Sequence, residues 1–426
     1  MMQSKSSAAA VGGVLVLLLS APLVLSPGLL NAAVQVLVAA LFASAYNLLC
    51  GQAGMLSFGH AAYFGIGAFA TMHAMKAVGG AGLLPTPLLP LAGAAAGLVI
   101  GAAAGWFATK RSGTYFAMIT LAIAELLHAL APHLKGWFGG EAGVSGMRMP
   151  AWGFSFGSTM QMYYLTLSWV LAGLALLYFF TRTPVGRLAL GLRENAHRLA
   201  FLGYDVHRVS VLVFTVSAMF SGIAGGLLAV NNEAVNYVLF DAHVSASAVL
   251  NAYIGGVKVF FGPVLGAGVM TFFGYAVSDL TQSWLLYQGI LFVLVMMFMP
   301  DGLAGLLVRW WEWQSRLGLR SVLPVSLAGL AAALLLGGGT VFLVELLQRL
   351  FSQDYRAAAG VGQAIVLFGL RWLPREAVTW LAPTAALAAG LAIGVMALRQ
   401  ARLLTEANTD APSSTEVPLQ GARSTV

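Results

Sequence analysis

The chain has 426 residues, of which 59% are hydrophobic and 9% are charged, and its mean hydropathy is +0.84. Because soluble domains carry about 25% charged residues, this composition excludes an ordinary soluble domain, and it equally excludes intrinsic disorder and a nucleic-acid-binding domain. The net charge of +7 fits a membrane protein with basic residues concentrated on its cytoplasmic side, and the single cysteine, Cys50, excludes an internal disulfide framework and a Cys-rich metal site.

We therefore expect an all-α fold, a polytopic transmembrane helical bundle with broken or re-entrant segments. A spanning helix needs about 20 mostly apolar residues. Segments of this kind lie near 9–27, 29–49, 58–78, 88–109, 114–134, 162–180, 211–231, 244–261, 263–282, 285–308, 323–347 and 376–398. The first could be a cleaved signal peptide, but its long apolar run without a small-residue cleavage site favours an uncleaved span.

Three regions follow from this pattern. Residues 1–320 hold about ten membrane segments, residues 321–402 add about two spans, and the polar tail 403–426 is predicted to be disordered. The stretch 357–373 is apolar but contains Arg371, so we predict that it is interfacial or re-entrant.

The basic residues predict the orientation in the membrane. With a cytoplasmic N-terminus, the outer loops before residue 320 hold three of them, Lys76, Lys135 and Arg148. The inner side holds the other twelve, which are Lys5, Lys110, Arg111, Arg182, Arg187, Arg193, Arg198, Arg208, Lys258, Arg309, Arg316 and Arg320. This asymmetry follows the positive-inside rule.

A polar, glycine-rich stretch interrupts the apolar pattern at residues 51–60. Unwound backbone in a membrane is tolerated where protein or a water cavity satisfies its polar groups, and broken helices of this kind mark substrate paths in many transporters. The candidate path residues here are Gln52, Gly54, Ser57, Gly59 and His60. The alternative is a tight turn between two spans, with His60 as a hydrogen-bonded packing residue.

Glu125 lies inside the fifth predicted span, with His128 on the same helix face. An ionisable group at this depth is costly and needs a partner. We count Glu125 as a further candidate for the translocation path, and a buried hydrogen bond near the outer surface is an equal alternative. The histidines are otherwise scattered, so no metal site is predicted.

Four glycines recur at every fourth position of the fourth span, Gly93, Gly97, Gly101 and Gly105. This spacing makes one smooth helix face, which favours close packing against another helix.

The predicted inner loop 181–210 contains five arginines. Its part from Glu194 to Leu202 has the pattern of a short amphipathic helix, which Gly203 is placed to end. Such a helix could dock in a groove of a partner protein. The alternative is a solvated basic loop that only sets the topology.

Several blocks together resemble the permease subunits of branched-chain amino acid ABC importers, of the LivM and LivH type and closer to LivM. The blocks occur in the family's order over roughly residues 30–310. They comprise Arg193-Glu194-Asn195 with Arg198, Ala200 and Leu202-Gly203; Phe214, Ser217-Ala218 and Gly222-Ile223-Ala224-Gly225; residues 51–68; residues 113–122 with Glu125; residues 139–146; Ile254-Gly255-Gly256; residues 262–267; and residues 299–305.

The resemblance implies a coupling helix in the inner loop that sits on an ATPase subunit. Carried over to this sequence, its residues are Arg193, Glu194, Asn195, Ala196, Arg198 and Gly203. It also implies a second, LivH-like permease, two ATPase subunits, a periplasmic or lipid-anchored substrate-binding protein, and an inner-membrane location. Cargo would be branched-chain or related amino acids.

This sequence departs from the family pattern in three places, which are Val257-Lys258-Val259, Glu141 and the whole region 320–426. No Gly-Lys dipeptide occurs, so the chain has no P-loop. We expect it to bind no cofactor and to be no enzyme, with ATP and Mg on the partner ATPases. The alternatives are a permease for urea, short amides or another small solute, and less favoured, a gradient-driven secondary transporter or a membrane enzyme.

Overall fold

The computed structural model describes residues 2–78, 85–278, 281, 283–299, 301–352, 355, 364–367 and 370–409. The chain forms two compact units, Met1–Leu306 and Leu307–Val426, so the boundary precedes the one predicted near residue 320.

The first unit is a helical bundle, which confirms the predicted fold class. Its helices are α1 Met2–Val24, α2 Pro27–Asn47, α3 His60–Val78, α4 Pro90–Ala108, α5 Thr114–Leu130, α6 Lys135–Phe138, α7 Thr159–Arg182, α8 Pro184–Phe201, α9 Val206–Asn232, α10 Ala242–Gly255, α11 Gly262–Ser278 and α12 Trp284–Phe298. Helix α13 Gly302–Leu317 runs across the boundary between the two units. Short π- or 3₁₀-helical turns cover Leu48–Gln52, Thr86–Leu88, Gly140–Ala142 and Tyr237–Phe240. Two short strands, β1 Val144–Ser145 and β2 Ala234–Val235, pair antiparallel.

Fewer helices than predicted are long and apolar enough to cross a membrane. Within the described residues there are six, or up to eight if each of two bent helix pairs counts as one span. The sequence predicted twelve, and the difference arises where helices end early or bend. Helix α10 stops after 14 residues at Gly255, before Gly256 with φ of 108°. The predicted span 285–308 is bent by 49° between α12 and α13.

Helices α3, α4 and α9 approach one another closely because glycines line their contacts. The four α4 glycines all face α9: a Cβ at Gly93 would collide with the Gly222 carbonyl oxygen, and one at Gly97 would lie 2.5 Å from the Ala218 carbonyl oxygen. Gly101 faces Ala218 and Gly105 faces Phe214. As residue numbers increase along α4, the residues that they face on α9 decrease in number. The two helices therefore run antiparallel, with their backbones in contact.

The outer end of α9, in the predicted topology, is tied to the loop that follows α6. Arg148 forms an ion pair with Glu233, with 3.1 Å between Nε and Oε1, and its Nη1 donates to the carbonyls of Val230 and Asn231 at the end of α9. The β1–β2 pairing joins the same two segments, with Val144 opposite Val235. Both segments lie on the same side of the membrane in the predicted topology.

The second unit contains a helical hairpin made by α14 Leu319–Phe351 and α15 Ala377–Thr409. Gly339 faces Leu387, and Gly390 faces Leu336, so the two helices pack antiparallel through glycines. Strands β3 Ile365–Leu367 and β4 Leu370–Trp372 form a β-hairpin, where the sequence predicted an interfacial or re-entrant segment. Helix α15 continues to Thr409, into the tail predicted as disordered, and residues 410–426 of that tail lie outside the described residues.

Replacing Gly97 by Ala is expected to destabilise the first unit. The added methyl group meets a backbone carbonyl that cannot rotate away, and overpacking of this kind costs about 1–3 kcal/mol. The measurement is the free energy of unfolding in detergent. Gly268→Ala in α11 is the matched control, since a Cβ there meets nothing within 4 Å and alanine favours a helix. Equal stability of the two variants would contradict the packing argument.

Candidate functional site

The interrupted segment between α2 and α3 begins with a change of helix type. Helix α2 passes into a π-helical turn at Leu48–Gln52, and the backbone from Ala53 to Gly59 is not helical before α3 starts at His60. Gly54 has φ of 70°, a left-handed conformation that favours glycine. π-Helical turns occur frequently at functional sites.

Hydroxyl groups of other elements satisfy the unwound backbone. The Phe58 amide donates to Thr120 Oγ1 of α5 at 3.2 Å, and the Ala61 amide donates to Ser245 Oγ of α10 at 2.9 Å. The Gly59 amide donates to Ser57 Oγ at 3.3 Å. The sequence pattern did not single out Thr120 or Ser245, because nothing local distinguishes these hydroxyls from other helical Ser and Thr residues.

His60 is fully buried and bonded through both ring nitrogens. Its Nε2 lies 2.8 Å from Ser217 Oγ of α9, and its Nδ1 lies 3.0 Å from Ser57 Oγ. Ser217 Oγ donates its own proton to the Ala45 carbonyl at 2.6 Å, so it accepts from Nε2–H, and Ser57 donates to Nδ1. A neutral imidazole at the start of α3 is thus bonded to Ser217 of α9 and, through Ser217, to Ala45 of α2. Both His60 and Ser57 are buried and hydrogen-bonded in this conformation.

Arg193 joins the inner loop to the interrupted segment. The Arg193 side chain, on α8, donates through Nη1 to the Gly51 carbonyl in the π-helical turn. A Cβ at Gly54 would lie 2.8 Å from Arg193 Cγ, so Gly54 leaves the space that the arginine fills. Two motifs that the sequence suggested separately are therefore in direct contact.

A cavity of about 490 Å³ lies beside this contact. Its wall includes Gly54, Met55 and Phe58 of the interrupted segment, Met118 of α5 and Ala196 of α8. The lining is mostly apolar and includes Arg111, a residue of a predicted inner loop. The cavity suits a small solute with an apolar side chain better than a highly charged one.

Helix α8 consists of two parts. Asn195 has φ of −163° and ψ of 98°, outside the helical region, and its Oδ1 accepts from the Arg198 amide at 2.9 Å as an N-cap of the second part. Gly203, with φ of 86°, ends that part: its amide bonds to the Ala200 carbonyl and the Tyr204 amide to the Leu199 carbonyl. This is a Schellman motif, and it fixes the direction in which the helix tip points.

The C-terminal end of this helix, its tip, has two exposed apolar side chains. Phe201 is 92% exposed and Leu202 is 68% exposed, while Leu199 is buried beneath them. Exposed apolar groups of this size mark contact surfaces for other proteins. Both residues lie in the predicted amphipathic helix Glu194–Leu202, but neither is among the six predicted docking residues. The predicted Glu194 and Arg198 are exposed beside the tip.

The remaining predicted path residues lie in different surroundings. Gln52 is half-buried at the end of the π-helical turn, and Gly59 is buried where a Cβ would meet the Thr120 carbonyl. Glu125 is exposed on α5 and makes no hydrogen bond or ion pair to any described residue. His128, on the same helix, packs beside the Tyr237 ring, with 5.5 Å between the ring centroids. No group of three metal-ligating side chains occurs among the described residues.

Comparison with known proteins agrees with this arrangement. The family described as branched-chain amino acid transport system, permease component, matches residues 28–300. The high-affinity branched-chain amino acid transport system permease protein LivM of Escherichia coli K12 is 26% identical over 314 residues, covering 68% of this chain and 73% of LivM.

Two further relatives carry the same description of a high-affinity branched-chain amino acid transport system permease protein. BraD of Pseudomonas aeruginosa and LivH of E. coli K12 are each 26% identical, and each alignment covers 62% of this chain and 91% of the relative. No solved structure matches the chain. The family match spans more than half of the chain and includes the interrupted segment, the inner-loop helix and α9. The chain therefore belongs to the permease family of branched-chain amino acid transport systems.

Proposed function

We propose that this permease is the membrane subunit of an ATP-driven importer of branched-chain or related amino acids in a bacterial inner membrane. The single observation that carries the mechanism is the bond from Arg193 to the Gly51 carbonyl. It gives a force applied to the inner-loop helix a direct route to the interrupted membrane segment.

The chain works with partners in this proposal. Its N-terminus is cytoplasmic, so α8 faces the cytoplasm, where two ATPase subunits bind ATP and Mg. A second permease completes the pathway, and a periplasmic or lipid-anchored binding protein delivers cargo. This chain hydrolyses no ATP and binds no cofactor itself.

In this proposal, the free energy of ATP binding and hydrolysis is transmitted to the translocation path through α8. ATP-driven closure of the two ATPases displaces the apolar tip at Phe201, which is seated on one of them. The displacement moves the second part of α8, passes across Asn195 to the first part, and reaches the π-helical turn through Arg193. Because two discrete packings of a helix contact interconvert more readily than a continuous deformation, the interrupted segment switches between two arrangements, one open to each side.

The cargo passes the cavity beside Gly54. A branched-chain amino acid has an apolar side chain, which suits the Met55, Phe58 and Met118 surfaces, and a zwitterionic head, which needs hydrogen-bonding groups. Carbonyl groups of the unwound segment supply acceptors for the ammonium group, whereas Ser57 is already bonded to His60.

Reconstitution tests the function. The chain is purified with the second permease and the ATPases encoded beside it, placed in proteoliposomes, and supplied with the cognate binding protein, Mg and ATP. We expect ATP-dependent uptake of radiolabelled leucine, isoleucine or valine. Uptake of urea or a short amide instead would identify the alternative cargo, and uptake driven by an ion gradient without ATP would contradict the proposal.

Replacing Arg193 by Gln is expected to uncouple the transporter. The shorter amide side chain cannot keep the charge-assisted bond to the Gly51 carbonyl, and such bonds contribute about 1.5–3 kcal/mol. We expect ATP-dependent uptake to fall about tenfold or more, while ATPase subunits remain bound and ATP hydrolysis continues. Arg187→Gln is the control, because this exposed arginine lies on the same helix without a bond to the interrupted segment. Equal uptake by both variants would refute the coupling route.

The double substitution of Phe201 and Leu202 by Ser is expected to detach the ATPases. It removes the exposed apolar tip and leaves the Schellman motif and the buried Leu199 in place. The measurement is the amount of ATPase that co-purifies with the permease, which should drop at least about tenfold for the loss of a central apolar contact. Trp152→Ser, at a similarly exposed aromatic on the outer loop, is the control. Full retention of the ATPases by the double variant would show that the tip is no docking surface.

A further inference from the structure

Helix α5 shows a stripe of exposed residues along one face. They follow the alternating spacing of three and four that marks a helix–helix seam, and they are Tyr115, Met118, Ala122, Glu125 and Ala129. Tyr115 is 73% exposed and Met118 is 63% exposed, while Leu126 and Leu130 widen the same face. The two alanines, on either side of Glu125, leave room for the close approach of another helix.

Glu125 makes this face unsuitable for lipid. It is the twelfth residue of a 17-residue helix, so its Cα lies about 16 Å along the axis from Thr114 at about 1.5 Å per residue. With Thr114 at the inner boundary of the predicted fifth span, that depth falls within a hydrocarbon core of about 30 Å. A carboxylate at this depth is costly without a partner, and no described residue of this chain gives it a hydrogen bond or ion pair.

Helix α4 offers a contrast within the same bundle. The face that it turns away from α9 includes Leu98, Val99 and Phe107, which are exposed and wholly apolar, as expected of a lipid-facing surface. The exposed stripe of α5 combines small residues with an ionisable one, which is the composition of an interface between membrane helices.

We propose that this stripe of α5 packs against a membrane helix of a second, non-identical permease, which presents a basic or other hydrogen-bond-donating side chain to Glu125. The inference rests on the proposed function and names the surface through which the two permeases meet. Met118 belongs both to the stripe and to the wall of the cavity beside Gly54, so the interface borders the proposed path.

The charge of Glu125 argues against a second copy of this chain as the partner that packs on the α5 stripe. Two copies would have the same orientation in the bilayer, and a twofold axis along the membrane normal would bring both stripes together at one depth. The two Glu125 carboxylates would then face each other, and like charges in a medium of low dielectric repel strongly. A different chain can instead supply the donor.

Photo-crosslinking tests the surface directly. Benzoylphenylalanine is placed at Ala122, and in a separate variant at Val99 of α4, in the complete transporter in native membranes. After illumination, adducts are identified by mass spectrometry. We expect the Ala122 adduct to contain a transmembrane peptide of the second permease and the Val99 adduct to contain none. An Ala122 adduct with another copy of this chain, or with lipid alone, would overturn the proposal.

Substitution of Glu125 tests the bond. Glu125→Ala should reduce co-purification of the second permease about three- to thirtyfold, the range for loss of a hydrogen bond within a membrane. Glu125→Gln keeps an acceptor oxygen and should retain most of it. Glu141→Ala, at an exposed acid of the outer loop, is the control. Equal co-purification in all three variants would overturn the role of Glu125.

The two proposals fail in different ways. If ATP-driven uptake requires a second permease but Ala122 crosslinks to lipid alone, the surface is wrong and the proposed function stands. If the chain transports without a second permease, the proposed function itself is wrong in its assembly. Detergent-stable, monodisperse variants are used throughout, so that a misfolded chain is not scored as a lost contact.

Discussion

The requirement that every backbone polar group in a membrane find a partner organises the first unit. The segment from Ala53 to Gly59 gives up helical hydrogen bonds, and it persists because Thr120 and Ser245, on two other helices, accept from its amides and from that of Ala61 at the start of α3. The His60 imidazole adds a link to Ser217 on α9. These bonds need the helices close together, and the glycine contacts among α3, α4 and α9 provide that closeness. The interrupted segment and the tight packing around it are therefore one arrangement.

The same hydrogen bonds indicate which end of the interrupted segment can change its conformation. The end near His60 is buried and fully bonded inside the protein. The end near Gly54 borders the cavity and is held by Arg193, which comes from outside the bundle core. A segment that is buried at one end, and whose other end borders a cavity and contacts a helix outside the core, has its lowest-cost motion at the cavity end.

Much of this could be predicted from the sequence, because the signals are local. The fourfold spacing of the α4 glycines indicates a contact face, and the polar stretch 51–60 marks an interruption in an apolar run. The donors and acceptors that complete the site lie far along the chain: Arg193 is 142 positions from Gly51, and Ser245 is 184 positions from Ala61. No local pattern encodes such pairings. Among the described residues, fewer helices are long and apolar enough to cross a membrane than the sequence predicted, since apolar composition does not reveal where Gly256 turns the chain or where α12 and α13 bend.

Gly54 meets two constraints at once, its left-handed backbone and the space occupied by Arg193. A side chain at position 54 would need the space that the arginine at position 193 occupies, so the two positions constrain each other. Among relatives we expect positions 54 and 193 to covary, although one lies in the interrupted segment and the other on helix α8. Comparison of family members should therefore show the contact between the interrupted segment and α8, even where overall identity has fallen to about a quarter.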